Sequence, residues 1–109
     1  MRLKLRSKIW LEGDGKVFGD GPCDLLQRVE RLGSLRQAAA EMKMSYAQAW
    51  ELVKMLEDNL GTPLLEKKVG GPSGGGSVLT KEGRRFLQSY TKFRQEADEQ
   101  LQALFKKYF

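Results

Sequence analysis

The sequence contains no histidine and a single cysteine, Cys23, among its 109 residues. One thiol cannot form a disulfide within the chain, and without histidine it cannot build a His/Cys metal site. The lack of histidine also excludes a Ser-His-Asp triad, and the carboxylates and lysines form no recognisable catalytic cluster. We therefore expect a non-enzyme without metal or cofactor, in which Cys23 is a packed or a surface thiol.

Long apolar runs are also missing, so no segment of the sequence is suited to span a bilayer. The amino terminus alternates basic and apolar residues and lacks the apolar core of a signal peptide. We expect a cytoplasmic single-domain protein without membrane contact, because its length suffices for one modest core. The net charge of +5 suggests a polyanionic partner, although surplus lysine alone often marks only a solvated surface.

Residues 1–20 predict an amino-terminal β-hairpin. Apolar and polar side chains alternate over residues 3–12, with the period of a half-buried strand. Asp14 and Gly15 then supply the signal of a tight turn. Residues 16–18 are predicted to be a short return strand, followed by a turn before Asp24.

Residues 22–63 contain two capping boxes, which predict a helix-turn-helix. Ser34 with Gln37, and Ser45 with Gln48, match the S-x-x-Q pattern in which side chain and backbone cap a helix start reciprocally. Two short helices in succession, each with its own cap, are typical of a helix-turn-helix. The same pattern also fits other small helical bundles, so this motif alone leaves DNA binding open.

Glycines mark the ends of the helices around this motif. Apolar residues at helical spacing predict a first helix over residues 24–32, ended by Gly33. The third helix is expected to stop at Gly61, just before a proline. Because Trp50 lies on the opposite face of that helix from Gln48, the pattern assigns Trp50 to the core.

A glycine-rich segment between two short strands predicts a wing over residues 64–80. Residues 70–76 consist only of glycine, proline and serine, and bare backbone of this kind can approach a DNA groove closely. A phosphate-binding loop is a rival interpretation, but the run lacks the G-K-[ST] ending, and a flexible linker is another. Lysines at the base of the wing and the pair Arg84 and Arg85 favour DNA.

Thr80 is expected to cap a long carboxy-terminal helix over residues 80–109. Its apolar residues form one stripe, close to a coiled-coil seam. The first turns can pack inside the domain, whereas the rest needs another apolar surface, which a second copy of the helix would supply. The amino-terminal hairpin is the alternative cover. The residues assigned to homodimerisation are Phe86, Tyr90, Phe93, Ala97, Leu101, Leu104 and Tyr108.

Three segments, residues 33–39, 44–51 and 79–85, carry a family likeness when taken together. The second contains Ser-Tyr-x-x-Ala-Trp, and the glycine-rich run precedes the third. With these features nearly the whole chain resembles the DNA-binding domain of ModE-type molybdate-responsive regulators and, more distantly, that of LysR-type regulators. The resemblance implies a mainly α winged helix-turn-helix with small β elements, dimerised through its terminal helices, with the third helix in the major groove.

The expected partner is double-stranded DNA. The resemblance implies DNA-facing roles for the wing and for Ser45, Tyr46 and Gln48. Base contacts are assigned to Tyr46, Gln48 and Lys54, since glutamine can pair with adenine and tyrosine can contact a thymine methyl. A buried position is the alternative for Tyr46. Phosphate contacts are assigned to Ser34, Arg36, Gln37, Lys67, Lys68, Arg84 and Arg85, and the wing residues Gly74, Gly75 and Ser77 are also assigned to DNA.

These features predict a sequence-specific transcriptional regulator. Through the resemblance, its target genes are expected to concern molybdate or tungstate uptake or molybdoenzymes. The chain length leaves no room for the molybdate-binding domains of that family, so we expect no oxyanion sensing by this chain and a separate molybdate-sensing protein as a candidate partner. The alternative function is a protein-interaction module that binds a partner protein through its wing and basic face.

Overall fold

The computed structural model describes residues 2–68 and 76–109. Its two hairpins are separate antiparallel sheets of two strands each, and the remaining elements are helices. The elements in chain order are β1 (Trp10–Glu12), β2 (Lys16–Gly19), α1 (Asp20–Leu32), α2 (Leu35–Glu41), α3 (Tyr46–Leu60), β3 (Leu65–Lys68), β4 (Gly76–Leu79) and α4 (Lys81–Tyr108). The predicted fold, mainly α with small β hairpins, is confirmed. No described helix is both long and apolar enough to cross a bilayer.

The amino-terminal hairpin is shorter than the alternating pattern predicts. Strand β1 pairs with β2 only from Trp10 onwards, and within the described part of the chain residues 2–9 belong to no strand. The prediction of a strand from residue 3 is therefore wrong for these residues. The Ser7 carbonyl instead accepts a hydrogen bond from Arg94 of α4, and the Ile9 carbonyl lies 3.1 Å from the Tyr90 hydroxyl, so one side of an extended segment faces a helix. One-sided contact with a helix produces the same alternation as strand pairing.

Helix α1 begins at Asp20, four residues before the predicted start at Asp24. The sequence indicated a turn here because Pro22 follows two glycines in close succession. Pro22 lies in the first helical turn, where no intrahelical partner exists for its missing N–H, so the ring costs no hydrogen bond. Gly33 ends the helix with a left-handed φ of 70°, as predicted.

The helix-turn-helix is confirmed, with both predicted N-caps present, but only the capping box at Ser45 and Gln48 is reciprocal; at Ser34 and Gln37 only the Ser34 side chain takes part. The Ser34 hydroxyl accepts from the Gln37 amide at 3.1 Å. At the start of α3 the capping box is complete: the Ser45 hydroxyl accepts from the Gln48 amide, and Gln48 Oε1 accepts from the Ser45 amide, both at 3.0 Å. These bonds satisfy backbone donors that have no partner within a helix. Gly61 ends α3 in the left-handed conformation.

Two buried clusters hold the elements together. One joins the amino-terminal hairpin, α1, α3 and the start of α4 around Phe18, which is fully buried. It includes Cys23, whose pKa is raised by burial. The other packs α1, α2 and α3 through small residues such as Ala38 and Ala49, which let the helices approach closely.

Trp50 is not part of either cluster, and its assignment to the core is wrong. Its side chain is 47% exposed. The inner face of α3 is formed by Ala49, Val53 and Leu56. Gln48 and Trp50 lie about 100° to either side of Ala49, because consecutive helical residues are rotated by that angle. The two residues therefore occupy opposite flanks of the helix, and neither faces the core.

The wing is a hairpin fixed to the helix-turn-helix at its base. Strands β3 and β4 pair in register from Leu65 opposite Leu79 to Lys68 opposite Gly76. The Ser77 amide donates to the carbonyl of Gly33 at 3.0 Å, and a Cβ atom at Gly76 would collide with that oxygen. The predicted DNA contacts at Gly74 and Gly75 lie outside the described residues.

Helix α4 is attached to the body at its first turn. The Thr80 hydroxyl accepts from the Gly83 amide at 2.9 Å, as predicted for a cap, and donates to the carbonyl of Pro63 at 2.7 Å. A Cβ atom at Gly83 would collide with the carbonyl of Leu64. The start of α4 is thus packed directly against the segment that follows α3.

Candidate nucleic-acid interface

One flank of α3 carries an aromatic and cationic surface. Tyr46, Trp50 and Lys54 follow one another at four-residue spacing and are all exposed. The guanidinium carbon of Arg36, on α2, lies 4.3 Å from the centre of the Tyr46 ring. Lys54 Nζ lies 5.9 Å from the centre of the Trp50 ring. We call these four residues the aromatic–cationic row.

The aromatic rings of the row orient its two cations without neutralising their charge. A cation over an exposed aromatic ring gains about 0.5–1 kcal/mol, enough to favour one orientation of a long side chain. The ring of Tyr46 thus orients the guanidinium of Arg36, whose planar donors suit phosphate oxygens or the edge of guanine. The sequence assigned Arg36 to phosphate and Tyr46 to bases, and the structure brings the two side chains together.

Trp50 is the member of the row that sequence reasoning missed. The signal was present, because the inner face centred on Ala49, Val53 and Leu56 leaves position 50 on the flank. A comparison of Trp50 with Gln48 alone placed Trp50 on the buried face of α3. Its indole presents a large, flat apolar surface beside Tyr46, suited to contact with a nucleic acid.

Gln48 lies on the other flank of α3, and its side chain is already engaged. Its Oε1 accepts the Ser45 amide in the capping box, and its Nε2 donor is not used in that bond. Bidentate pairing with adenine would need both amide atoms to turn toward the base, which the capping bond opposes. This geometry leaves Nε2 as the atom through which Gln48 can donate to a base.

A shallow groove separates α3 from the wing. Its walls include Tyr46 and Trp50 on one side and Lys67 and Ser77 on the other. Glu57 also lines the groove, but its carboxylate accepts from the amides of residues 64 and 65 at 2.8 and 3.3 Å. Those bonds engage Glu57, and the other charged residues that line the groove are Lys54, Lys67 and Glu66 on β3.

The remaining predicted DNA residues lie at three places on the surface. The start of α2 and the wing base adjoin the groove, whereas Arg84 and Arg85 lie on α4. Arg84 Nε is 3.5 Å from Glu30, an exposed ion pair that contributes little and competes weakly with another anion. The exposed residues of the predicted set are Arg36, Gln37, Ser45, Tyr46, Gln48, Lys54, Lys67, Lys68, Arg84 and Arg85, and the half-buried ones are Ser34 and Ser77.

The apolar stripe of α4 divides into an inner and an outer part. Phe86 packs edge-on against Phe18 with ring centres 4.9 Å apart, and Tyr90 is only 3% exposed. Tyr90 therefore has little surface left for contact with a second chain. Leu104 is 51% exposed. The outer part is formed by Phe93, Ala97, Leu101, Leu104 and Tyr108, of which Ala97 and Leu101 are half-buried.

A capped helix-turn-helix followed by a hairpin defines a winged helix-turn-helix domain of the DNA-binding class. Residues 23–84 match the family described as bacterial regulatory helix-turn-helix proteins, lysR family. The match covers more than half of the chain, and the chain belongs to this family.

Similar proteins carry names that refer to regulation and to molybdenum. The chain is 41% identical over 66 residues to the "Transcriptional regulator ModE" of Haemophilus influenzae, covering 61% of this chain and 26% of that protein. It is 36% identical over 80 residues to the "Molybdenum-pterin-binding protein MopB" of Rhodobacter capsulatus, covering 73% and 30% respectively. The "DNA-binding transcriptional dual regulator ModE" of Escherichia coli K12 is 36% identical over 76 residues, covering 69% and 29%. The chain thus matches 26–30% of the length of these three relatives.

Proposed function

We propose that this domain acts in a transcriptional regulator that binds double-stranded DNA through α3 and the wing. The observation that carries the proposal is the aromatic–cationic row on the exposed flank of the third helix. The major groove, about 12 Å wide, admits an α-helix. With α3 in that groove, Tyr46 and Trp50 offer apolar contact to base edges, and Arg36 and Lys54 offer donors beside them.

The base of the wing would bind phosphates on the flanking backbone. Lys67 and Lys68 are exposed on β3, and neither takes part in an ion pair within the described residues. Because Ser77 is hydrogen-bonded to the turn after α1, the described base of the wing is anchored to the helices. Phosphate contacts of this kind set the register on DNA, whereas base contacts select the sequence.

We further propose that two copies pair through the outer part of the α4 stripe. Phe93, Leu104 and Tyr108 are exposed on one helix, and a second copy of the same helix offers a matching apolar surface. Such a dimer would read two related half-sites.

The genes under control would concern molybdate or tungstate. This part of the proposal is supported by the names of the relatives, among them the "Molybdenum transport protein ModE" of Azotobacter vinelandii, 36% identical over 76 residues. Adding molybdate or tungstate to growing cells and measuring transcripts with and without the gene for this chain tests that link. Unchanged transcripts of transport and molybdoenzyme genes would contradict it.

DNA binding is tested by selecting preferred duplexes from a random pool and titrating one of them by fluorescence anisotropy at several salt concentrations. We expect the affinity to fall at least tenfold between about 50 and 200 mM salt, because each neutralised phosphate releases counterions. Lys68→Ala should flatten the slope of log K against log salt by about one unit. Lys92→Ala, an exposed lysine on α4, is the matched control and should leave the slope unchanged. Selection without enrichment of any sequence, or binding to a protein but to no duplex, would contradict the proposal.

A further inference from the structure

A polar cluster centred on Asp20 joins three parts of the chain that are distant in sequence. One carboxylate oxygen of Asp20 accepts from the Tyr90 hydroxyl at 2.6 Å and from Arg94 Nε at 3.0 Å. The other accepts from the Ile9 amide at 3.3 Å. Asp20 begins α1, Tyr90 and Arg94 belong to α4, and Ile9 belongs to the extended segment of residues 2–9. We call this group, together with Ser7, the Asp20 cluster.

Arg94 uses all three nitrogens of its guanidinium in these contacts. Nη2 donates to both the carbonyl and the hydroxyl of Ser7 at 3.0 Å, and Nη1 donates to Asp98 at 2.6 Å. The side chain is 18% exposed, compared with 60% for Arg31 in its ion pair with Glu41. Removing one partner of a charge that is shielded from water costs much folding free energy. These contacts therefore favour one geometry of the cluster.

The contacts also fix how the extended segment lies on α4. Ile9 meets Tyr90 through its carbonyl, and Ser7 meets Arg94. Two residues of extended chain span about 6.6 Å and four residues of helix span about 6 Å, so the two rises match. The segment therefore runs antiparallel to α4, while α1 holds the same turn of α4 from another side.

The carboxylate at the centre is charged at neutral pH. Burial favours the neutral acid, but hydrogen bonds from Tyr90, the Ile9 amide and Arg94 outweigh burial and lower the pKa of Asp20. Beyond Asp98, the described part of the chain contains no side-chain hydrogen bond or ion pair from α4 to another element. The Asp20 cluster thus provides the last polar contacts between α4 and other elements, after the core packing of Phe86 and Leu87.

We propose that the Asp20 cluster is a positioning device that fixes the angle at which α4 leaves the DNA-binding body, and thereby the separation of the half-sites that a dimer holds. This inference rests on the proposed function, in which α3 reads DNA and α4 pairs two copies. From Arg94 to Tyr108 the helix rises about 21 Å. A tilt of about 10° at Arg94 would move its end by roughly 4 Å, which is close to the rise of one base pair of about 3.4 Å.

The test measures how strictly half-site spacing is read. A duplex selected by the wild-type protein is rebuilt with its half-sites one base pair closer, unchanged, and one or two base pairs further apart, and a duplex with one half-site is added. For the wild type we expect each one-base-pair change to weaken binding at least tenfold, since it shifts and rotates one half-site. For Arg94→Gln we expect a penalty of threefold or less, with single half-site affinity within twofold of wild type and the mass of the dimer unchanged.

Arg31→Gln is the matched control, because it removes an exposed arginine from an ion pair that does not touch α4. It should keep the wild-type spacing penalty. If Arg94→Gln does not fold by circular dichroism, Asp20→Asn, which removes the charge and keeps the shape, is measured in the same way. A folded variant of either kind with the wild-type penalty would overturn the inference, as would a wild type that binds single half-sites but tolerates every spacing. A wild type that binds no duplex preferentially would overturn the proposed function itself.

Discussion

Exposed aromatic rings lie on α3 and on the outer half of α4, and the side chains around them differ. On α3, Tyr46 and Trp50 lie beneath Arg36 and Lys54, so apolar area and positive charge are interleaved. On the outer half of α4, the stripe is apolar from Phe93 to Leu104, and a cation joins it at its end, where Lys107 Nζ lies 5.4 Å from the centre of the Tyr108 ring. Interleaved cations suit a polyanion with flat bases, whereas a continuous apolar stripe suits another protein helix. The chemistry around an exposed ring thus indicates its partner better than the ring itself.

The largest effect that would separate the two surfaces is expected at Leu104. Leu104→Glu places a charge in the proposed interface twice, once from each copy, and should weaken dimerisation at least 100-fold. Light scattering should then fall from about twice the 12.4 kDa chain mass to a single chain mass at micromolar concentration. Gln102→Glu adds the same charge at an exposed position about 160° around the helix from Leu104 and should leave the mass unchanged. A wild-type protein that is already monomeric would contradict the pairing.

A second variant, at Trp50, should weaken DNA binding and leave dimerisation intact. Trp50→Ala should weaken binding to a selected duplex about tenfold or more, without changing the dimer mass, because the indole contacts DNA and not a second copy. The free energy of unfolding should change by less than about 1 kcal/mol, whereas a buried tryptophan would lose roughly 3–5 kcal/mol. Urea denaturation and anisotropy titration measure the two quantities.

Met55→Ala is the control for this variant, since it removes another exposed apolar side chain from α3. We expect near wild-type affinity for it. A large loss of stability in Trp50→Ala with unchanged DNA affinity would return Trp50 to a structural role and remove the aromatic–cationic row from the interface.

A smaller effect tests the other flank of α3, where Gln48 both caps the helix and offers a donor. Gln48→Ala should lose the bond from the Ser45 amide to Oε1 and about 1 kcal/mol of stability, while the Ser45 hydroxyl still accepts from the amide of residue 48. Gln48→Glu retains an acceptor for the Ser45 amide, so its stability should stay within about 0.5 kcal/mol of wild type. Both should bind the selected duplex less tightly, because both lack Nε2. Wild-type binding by Gln48→Ala would show that Gln48 is a cap only.

The smallest effect concerns the inner half of α4. Hydrogen bonds lower the pKa of Asp20 in the folded state, so its stabilising contribution is complete above its unfolded pKa of about 3.9 and is lost as pH falls through the folded value. Urea denaturation between about pH 6 and pH 2.5 should show a smaller acid-induced loss of stability for Asp20→Asn than for wild type. Identical pH profiles would mean that the cluster does not hold the carboxylate as charged in the folded protein.

The helix-turn-helix could be predicted because its signals are local. Ser34, Ser45 and Gly33 act within a few residues of their positions, and each cap is found where the pattern indicated. The wing strands were predicted for the same reason. The aromatic–cationic row was predicted only in part, because the position of Trp50 depends on which face of α3 meets α1 and α2.

Contacts between distant residues escaped prediction. The bonds between Ser7 and Arg94 join residues 87 positions apart, and nothing in the alternating pattern distinguishes a strand from an extended segment on a helix. The start of α1 was misjudged because Pro22 is compatible with both a turn and a first helical turn. In both cases two local conformations have similar free energies, and tertiary contacts determine which of them forms.

The contact of the wing base with the turn after α1 has a consequence for how quickly the domain could associate with DNA. Gly76 packs on Gly33 and Ser77 is hydrogen-bonded to it, so the described strands of the wing and the start of α2 move as one unit. Little backbone entropy would then remain to be lost at this junction when a duplex arrives. The association rate would be limited by orientation and by attraction to the phosphates, and differences between duplexes would be expressed mainly in their dissociation rates.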